Sequence, residues 1–436
     1  MTKHPRPRLA TKSLLLVLFV ALSQIAWAAK ETVLHTFTDG NDGSFPSNLL
    51  VADTAGNLYG TAALGGIYNG PECHPSCGIV FELSPDSAGE WTETVLYSFQ
   101  GGTDGIEPAG VVFGPDGNLY GTTVGGGINY SQDGCCGTVF KLTHNPDGSW
   151  SKSALYSFTG ETDGADPFAP LVIDSAGNLY GTTEGGGGTQ NATDCNNGCG
   201  VVYELSPSSS GSYTYSLLYG FTGGADGAQP IGSLILDATG NFYGTTWLGG
   251  TTNAPNCNNG CGVVFKLAPS GGKWNFSVLH SFSGGNDGAN PMTALVLDTA
   301  GNLYGSTIIL GANGGGVVYR LSQKEEWKDT VLQSFNSSGP GATGPSSSLV
   351  FDSAGNLFGV AGGGMKGEGS VFMLSPRSGT WKLTTLYGGF NYALGELPTG
   401  SVLLGPGGAM YGTTSEGGEK TEFCIHGCGV VYQISR

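Results

Sequence analysis

Short apolar runs alternate with polar, glycine-bearing turns, and the same arrangement returns along the whole chain. Its clearest copy is LVLDTAGNLYGST, Leu295 to Thr307. Leu295-Val296-Leu297 is a short apolar run. Asp298-Thr299-Ala300-Gly301-Asn302 is a reversal, because Asp and Asn hydrogen-bond their own backbone and Gly accepts positive φ. Leu303 to Thr307 then returns as a strand of residues that suit a pleated, half-buried surface. Close copies begin at Leu49, Leu171, Leu234 and Leu349, and looser ones at Val111 and Val402. Downstream lies a second hairpin: Gly262 to Leu267 (GVVFKL), a turn at Ala268 to Lys273, and Trp274 to Phe282 (WNFSVLHSF). A connector, GGNDGANP from Gly284 to Pro291, leads into the next unit. The period is roughly sixty residues, enough for four strands with loops. No long stretch spaces its apolar residues by three and four, so helices are not expected.

Tandem four-stranded units predict an all-β fold, a seven-bladed β-propeller of four-stranded antiparallel blades. The last unit stops at Val430 to Ile434, after its third strand, and an orphan fourth strand, ETVLHTF from Glu31 to Phe37, precedes the first hairpin. The N-terminal strand is therefore expected to complete the last blade and close the ring, removing a pair of exposed sheet edges. On this reading residues 29–436 form a single propeller domain.

Glycine, at 78 of 436 residues, sits at fixed slots in turns and strand ends, so its abundance does not signal disorder. Residues 1–28 read as a secretory signal peptide: Lys3, Arg6, Arg8 and Lys12 are the basic region, Leu14 to Leu22 the apolar core, and Ala26-Trp27-Ala28 the cleavage motif. The apolar core is too short to span a bilayer, and no second span or anchor follows, so the mature chain is expected to be secreted or extracytoplasmic (periplasm or cell surface) without a membrane span. Net charge is −17; without those four leader residues, 13 basic face 34 acidic residues, near −21. Such a surface repels nucleic acid and anionic membranes. A monomer is expected.

All ten cysteines fall just before third strands, as Cys73/Cys77, Cys135/Cys136, Cys195/Cys199, Cys257/Cys261 and Cys424/Cys428. Local pairs in an exported chain point to disulfides. A ring this small adds roughly 2 kcal/mol in the chain-entropy model, so the bridges stiffen loops rather than hold the fold. Zinc is the alternative, but each unit offers two thiols and no second pair nearby. Cys135-Cys136 reads as a shortened version of the same staple.

The repeated GNLYGTT, the glycine-rich loop, GVVFKL and W…TVLYSF resemble the "GloVer" extracellular repeat of the choice-of-anchor tandem repeat proteins. The resemblance covers essentially the whole mature chain. It implies an exported bacterial repeat protein of no established activity, although this chain ends without the family's C-terminal anchor. The hairpin order is also similar to that of NHL-type propellers, which bears on fold and not on function.

In a propeller, the loops joining second to third strands and those joining successive blades share one face, the usual ligand face. Here that face carries the cysteine loops and the connectors, with Asp42, Asp104, Asp163, Asp226 and Asp287 at equivalent positions. A partial ring of carboxylates could take calcium; the alternative is an Asp-Gly turn held by its own backbone bonds, and no dense calcium loop is present. No other cofactor is indicated. The loops Asn57–Gly78, Asn178–Gly200 and Asn241–Gly262 are long, and Asn302–Gly316 and Asn356–Gly369 are short, leaving a low sector on the rim. Trp91, Trp150, Trp274, Trp327 and Trp381 share one slot at the start of fourth strands, expected to pack between blades. Trp247 alone follows a GTT, beside the low sector, with Ile308, Ile309 and Leu310 in the next unit. It suits stacking on a sugar or a peptide side chain, or it is buried under its own loop; both readings stand.

Catalysis finds little support. Glu184 and Glu416 follow second strands and could form an acid pair across the mouth. His35 and His280 replace the Tyr of VLYSF and read as packing residues; His74, His144 and His426 have no nucleophile to serve. Asn145 to Trp150 (NPDGSW) weakly resembles a sialidase Asp-box whose counterparts lack the Asp. Two functions follow. The first is an exported module binding a glycan, peptide or protein ligand; the alternative is a polysaccharide lyase or glycosidase on the same scaffold.

Overall fold

The computed structural model describes residues 29–46, 49–67, 76–128, 135–188, 195, 198–251, 256–338, 342–363 and 368–435. The leader read at 1–28, Cys73, His74 and the tips of several cysteine loops lie outside them. Among the described residues the protein is all-β, its only helical pieces being short 3-10 turns.

The first hairpin forms for the reason its residues suggest. Asp174 Oδ1 accepts the N–H groups of Ala176 and Asn178 at 2.9 Å, and Oδ2 accepts the Asn178 side-chain amide at 2.8 Å and the Tyr180 hydroxyl at 3.2 Å. The same lock forms at Asp53, Asp237 and Asp298. The looser copy at Val402 has no aspartate and closes through a 3-10 turn at Pro406–Gly408. Gly of the GNLYGTT motif is needed for closeness: a Cβ at Gly244 would run into the Phe265 ring, and one at Gly181 or Gly305 into Tyr203 or Tyr319.

First strands are shorter than the apolar runs suggest. Val172–Ile173, Ile235–Leu236 and Val296–Leu297 are two residues long each, against eight in Ile106–Phe113. The leading leucines (Leu171, Leu234, Leu295) are buried in the core instead.

Antiparallel four-stranded sheets cover residues 106–157, 172–220 and 235–281, with one short extra strand beside the sheet of 44–98. Residues 296–387 form nine strands, two such units joined by one parallel bridge, Asn336 to Thr343. In the terminal sheet, Lys30–Thr36 pairs antiparallel with Val430–Ser435. Each buried cluster lies between two successive four-stranded units rather than within one. Leu34, Phe37 and Val431 of the terminal sheet pack with Leu58, Phe81 and Leu83, and Val402, Val430 and Ile434 of the same sheet pack with Phe358 and Val371. Trp327 and Trp381 meet Tyr243 and Tyr304 of the preceding units, ring centroids 5.9 and 6.1 Å apart. This is the propeller-like arrangement, sheets packed face to face in succession.

Disulfides join Cys135–Cys136, Cys195–Cys199, Cys257–Cys261 and Cys424–Cys428. Cys77 is also disulfide-bonded.

Candidate functional site

The connectors fold around their aspartates. Asp226 accepts the Thr222 N–H at 2.9 Å, the Thr222 hydroxyl at 2.5 Å and the Tyr219 hydroxyl at 3.0 Å. Asp163 repeats this with Thr159 and Tyr156. Asp287 does so with Ser283 and His280, and Asp42 with Thr38 and His35. Asp104 adds Lys152 to Tyr97 and Gln100. These carboxylates are spent on their own loops, which is the turn reading of the connector. Among the described residues no group of three His, Cys, Asp or Glu is placed to hold a metal ion.

Three residues further on lies a feature the pattern of apolar positions did not reveal. The residue before the connector proline is left-handed throughout, and only at Gly344 (φ 56°) is it glycine; elsewhere it is Phe45 (φ 54°), Glu107 (56°), Asp166 (58°), Gln229 (56°), Asn290 (58°) or Leu397 (52°). Left-handed backbone before proline is doubly disfavoured, by Cβ and by the proline ring. The neighbouring sheet holds it there. The N–H groups of Phe45, Glu107, Asp166, Gln229 and Asn290 donate to the carbonyls of Cys428, Cys77, Cys136, Cys199 and Cys261, at 2.9 to 3.0 Å. The backbone frame repeats, and the side chain it presents changes from sheet to sheet.

In consecutive sheets these side chains join a contiguous polar arc. Gln229 Nε2 donates to Glu184 Oε1 at 3.1 Å, and the Gln229 carbonyl accepts the Trp247 N–H at 3.0 Å. Asn290 Nδ2 donates to the Trp247 carbonyl at 2.9 Å. Burial pushes the Glu184 carboxyl above its ordinary range, helped by Asp166; burial raises Asp166 too, helped by Glu107. Burial alone raises Glu107. The acids of the arc therefore hold protons more tightly than free carboxylates.

Trp247 is half-buried, and its indole nitrogen is turned inward without a partner. In the next unit Ile308 is half-buried, and Ile309, bridged to Ala289 next to Asn290, is 42 % exposed. Phe168 and Met292, which directly follow connector prolines, are exposed to a similar degree, 38 and 37 %. Apolar surface thus adjoins the amide and carboxyl groups of the arc. Glu184 and Glu416 keep separate company. Glu184 follows its Gly-Thr-Thr directly and meets Gln229 and Asp166, whereas Glu416 lies one residue further along and is the cross-strand partner of Glu396. A one-residue offset turns a side chain to the other side of a strand. Sequence reading had passed over Glu107, Asp166, Gln229 and Asn290; comparing the residue before each connector proline would have found them.

The chain belongs to the Gloeobacter/Verrucomicrobia repeat family, whose model matches residues 21–257 and 248–436. Among solved structures it is similar to the extracellular domain of a one-component system from B. thetaiotaomicron, with a TM-score of 0.53 at 12 % identity. That match covers 94 % of this chain and 40 % of the other. A gluconolactonase from Xanthomonas campestris is more distant, with a TM-score of 0.41, 13 % identity, and coverage of 82 % of this chain and 90 % of that one. At such identities the likeness concerns the fold alone. No curated protein matches the chain.

Proposed function

We propose that the protein is an exported, seven-bladed, ring-closed propeller that binds a glycan, peptide or protein ligand on its connector face, over Glu184, Gln229, Trp247, Asn290, Ile308 and Ile309. The reading rests on one observation: a repeated, strained backbone frame presents a different side chain in each sheet, and one contiguous stretch combines amide, carboxyl, aromatic and aliphatic groups. Strain kept at the same place while the side chain varies is what a specificity surface requires. Ring closure is supported by the pairing of Lys30–Thr36 with Val430–Ser435 and by the terminal sheet's packing on both neighbours. Export is supported by the leader pattern and by disulfides, which persist in oxidising compartments. Among the described residues no helix is long and apolar enough to cross a membrane.

The test is to screen the mature chain and its Trp247→Ala variant against arrays of oligosaccharides and of peptides. The wild type should give a defined set of hits that the variant loses by roughly tenfold or more, as for an aromatic anchor. An identical set of hits from both proteins would remove Trp247 from the binding face.

A further inference from the structure

Where neighbouring sheets meet at their fourth strands, a residue near the end of one strand faces a residue near the start of the next. The two are chemically matched. Tyr156 stacks on Tyr215 and Tyr219 on Phe276, at 4.9 and 3.9 Å between centroids. Tyr97 has the Lys152 ammonium 5.8 Å from its ring centroid, and Tyr387 donates to Glu31 at 2.5 Å. In Tyr97, Tyr156 and Tyr219 the hydroxyl also donates to the aspartate of its own connector.

Three seams depart from this, one with Gln333 in place of the tyrosine and two with a histidine. At one, His35 replaces the tyrosine, with Nε2 3.6 Å from Asp42 Oδ2; at the other, His280 does, with Nε2 3.4 Å from Asp287 Oδ2. At both, the corresponding slot of the next sheet, two residues after Trp91 or Trp327, holds an acid within electrostatic reach of the imidazole, Glu93 and Asp329 respectively. Glu93 Oε1 and Asp329 Oδ1 are buried without a hydrogen-bond partner. The ionisable neighbours of Glu93 are His35 and Asp42, and those of Asp329 are His280 and Asp287, with the buried Tyr319 hydroxyl also close to Asp329. The remaining faces are closed by Phe37 and Phe282, each 4.7 Å from its imidazole, and by Thr38 and Ser283 on the connector carboxylates. The imidazole Nε2 atoms likewise have no hydrogen-bond partner, so at each seam two carboxyl groups and an imidazole share one poorly satisfied polar pocket.

We propose that His35–Asp42–Glu93 and His280–Asp287–Asp329 are proton-operated locks between sheets. Each seam is docked while the second carboxyl keeps its proton, and it gains a second buried negative charge, and loosens, once that proton leaves. The direction agrees with the electrostatics. Burial pushes Glu93 up to about 7 and raises Asp329. Burial also works against ionisation of Asp42 and Asp287, but the adjacent imidazole and the hydrogen bonds from Thr38 or Ser283 outweigh it, lowering Asp42 and holding Asp287 at about 2. A carboxyl raised in the folded state contributes stability that is complete below its unfolded value of 4.5 and is lost as pH rises through about 7. The locks therefore close in mildly acidic surroundings and ease in alkaline ones.

The experiment is hydrogen exchange on the intact mature chain between pH 5 and 8, corrected for intrinsic rates. Wild-type protection should fall in Lys30–Thr36, Trp91–Ser98, Lys273–Ser281 and Lys328–Asn336, by up to roughly tenfold per pH unit crossed, and stay level in the central part of Tyr213–Gly220. A variant carrying His35→Tyr with Glu93→Phe and His280→Tyr with Asp329→Phe transplants the aromatic pair used elsewhere in this fold and should be flat throughout. Should it fail to fold, Glu93→Gln with Asp329→Asn serves the same purpose. Equal pH dependence at all seams of the wild type, or dependence that survives in the variants, overturns the proposal. Neither outcome depends on a ligand at the connector face.

Discussion

The two ends of each sheet follow opposite rules. At the hairpin end the side chains are held constant: an aspartate, an asparagine and a tyrosine lock the turn at Asp53, Asp174, Asp237 and Asp298. At the connector end the backbone is held constant, left-handed before proline, while the side chain runs through Phe45, Glu107, Asp166, Gln229, Asn290 and Leu397. Repeated side chains mark what the fold needs locally. A repeated backbone with changing side chains marks a position relieved of structural duty, because the neighbouring sheet's carbonyl does the holding.

The contrast can be broken most sharply at the hairpin end. Asp237→Ala removes the acceptor for Asn241, Thr239 and Tyr243. It should cost about 1–3 kcal/mol, since backbone donors lose their partner, as read by urea unfolding. At the connector end, Gln229→Gly relieves the left-handed strain but adds backbone freedom, so stability should stay within about 1 kcal/mol of wild type. If the proposed ligand face is right, the same change alters which array members bind. Comparable destabilisation by the two substitutions would erase the distinction. The smallest effect is acid sensitivity of the hairpin end. Burial opposes ionisation at Asp116, Asp237 and Asp298, yet hydrogen bonds from Asn118, Asn241 and Asn302, with Lys141 at Asp116, hold all three below the ordinary value of 3.8. Their contribution is present above that value and lost as pH falls below it. The thermal midpoint should drop between pH 5 and 3, and less so in Asp237→Asn, which has no carboxylate to protonate.

The hairpin end was legible because its chemistry is local: Asp, Gly and Asn within five residues dictate a turn, and period-two apolar runs dictate the strands on either side. The connector aspartates were legible as turns for the same reason. The left-handed position was not, because Glu107, Asp166 and Gln229 give no hint of positive φ; what imposes it is a carbonyl from the preceding sheet. His35 and His280 were read as packing residues, which describes their place but not their company. Their partners Glu93 and Asp329 sit in another sheet, in a slot filled elsewhere by Lys152, Tyr215 and Phe276, and only lining up that slot across the repeat brings the pairing into view. Trp247 stood out as an irregularity in the motif, yet the bonds from its backbone to Gln229 and Asn290 join residues far apart in the chain and could not be read from it.

The hydrogen bonds from Asn290 N–H to the Cys261 carbonyl, and from Leu397 N–H to the Glu368 carbonyl, cross from one sheet to the next. Evolution therefore cannot exchange these repeats cleanly at the sheet boundary, since a transplanted loop would arrive without the connector it braces. The transferable cassette is offset by half a unit, from the loop that precedes the third strand of one sheet to the second strand of its successor. Anyone recombining such repeats to alter recognition should cut there.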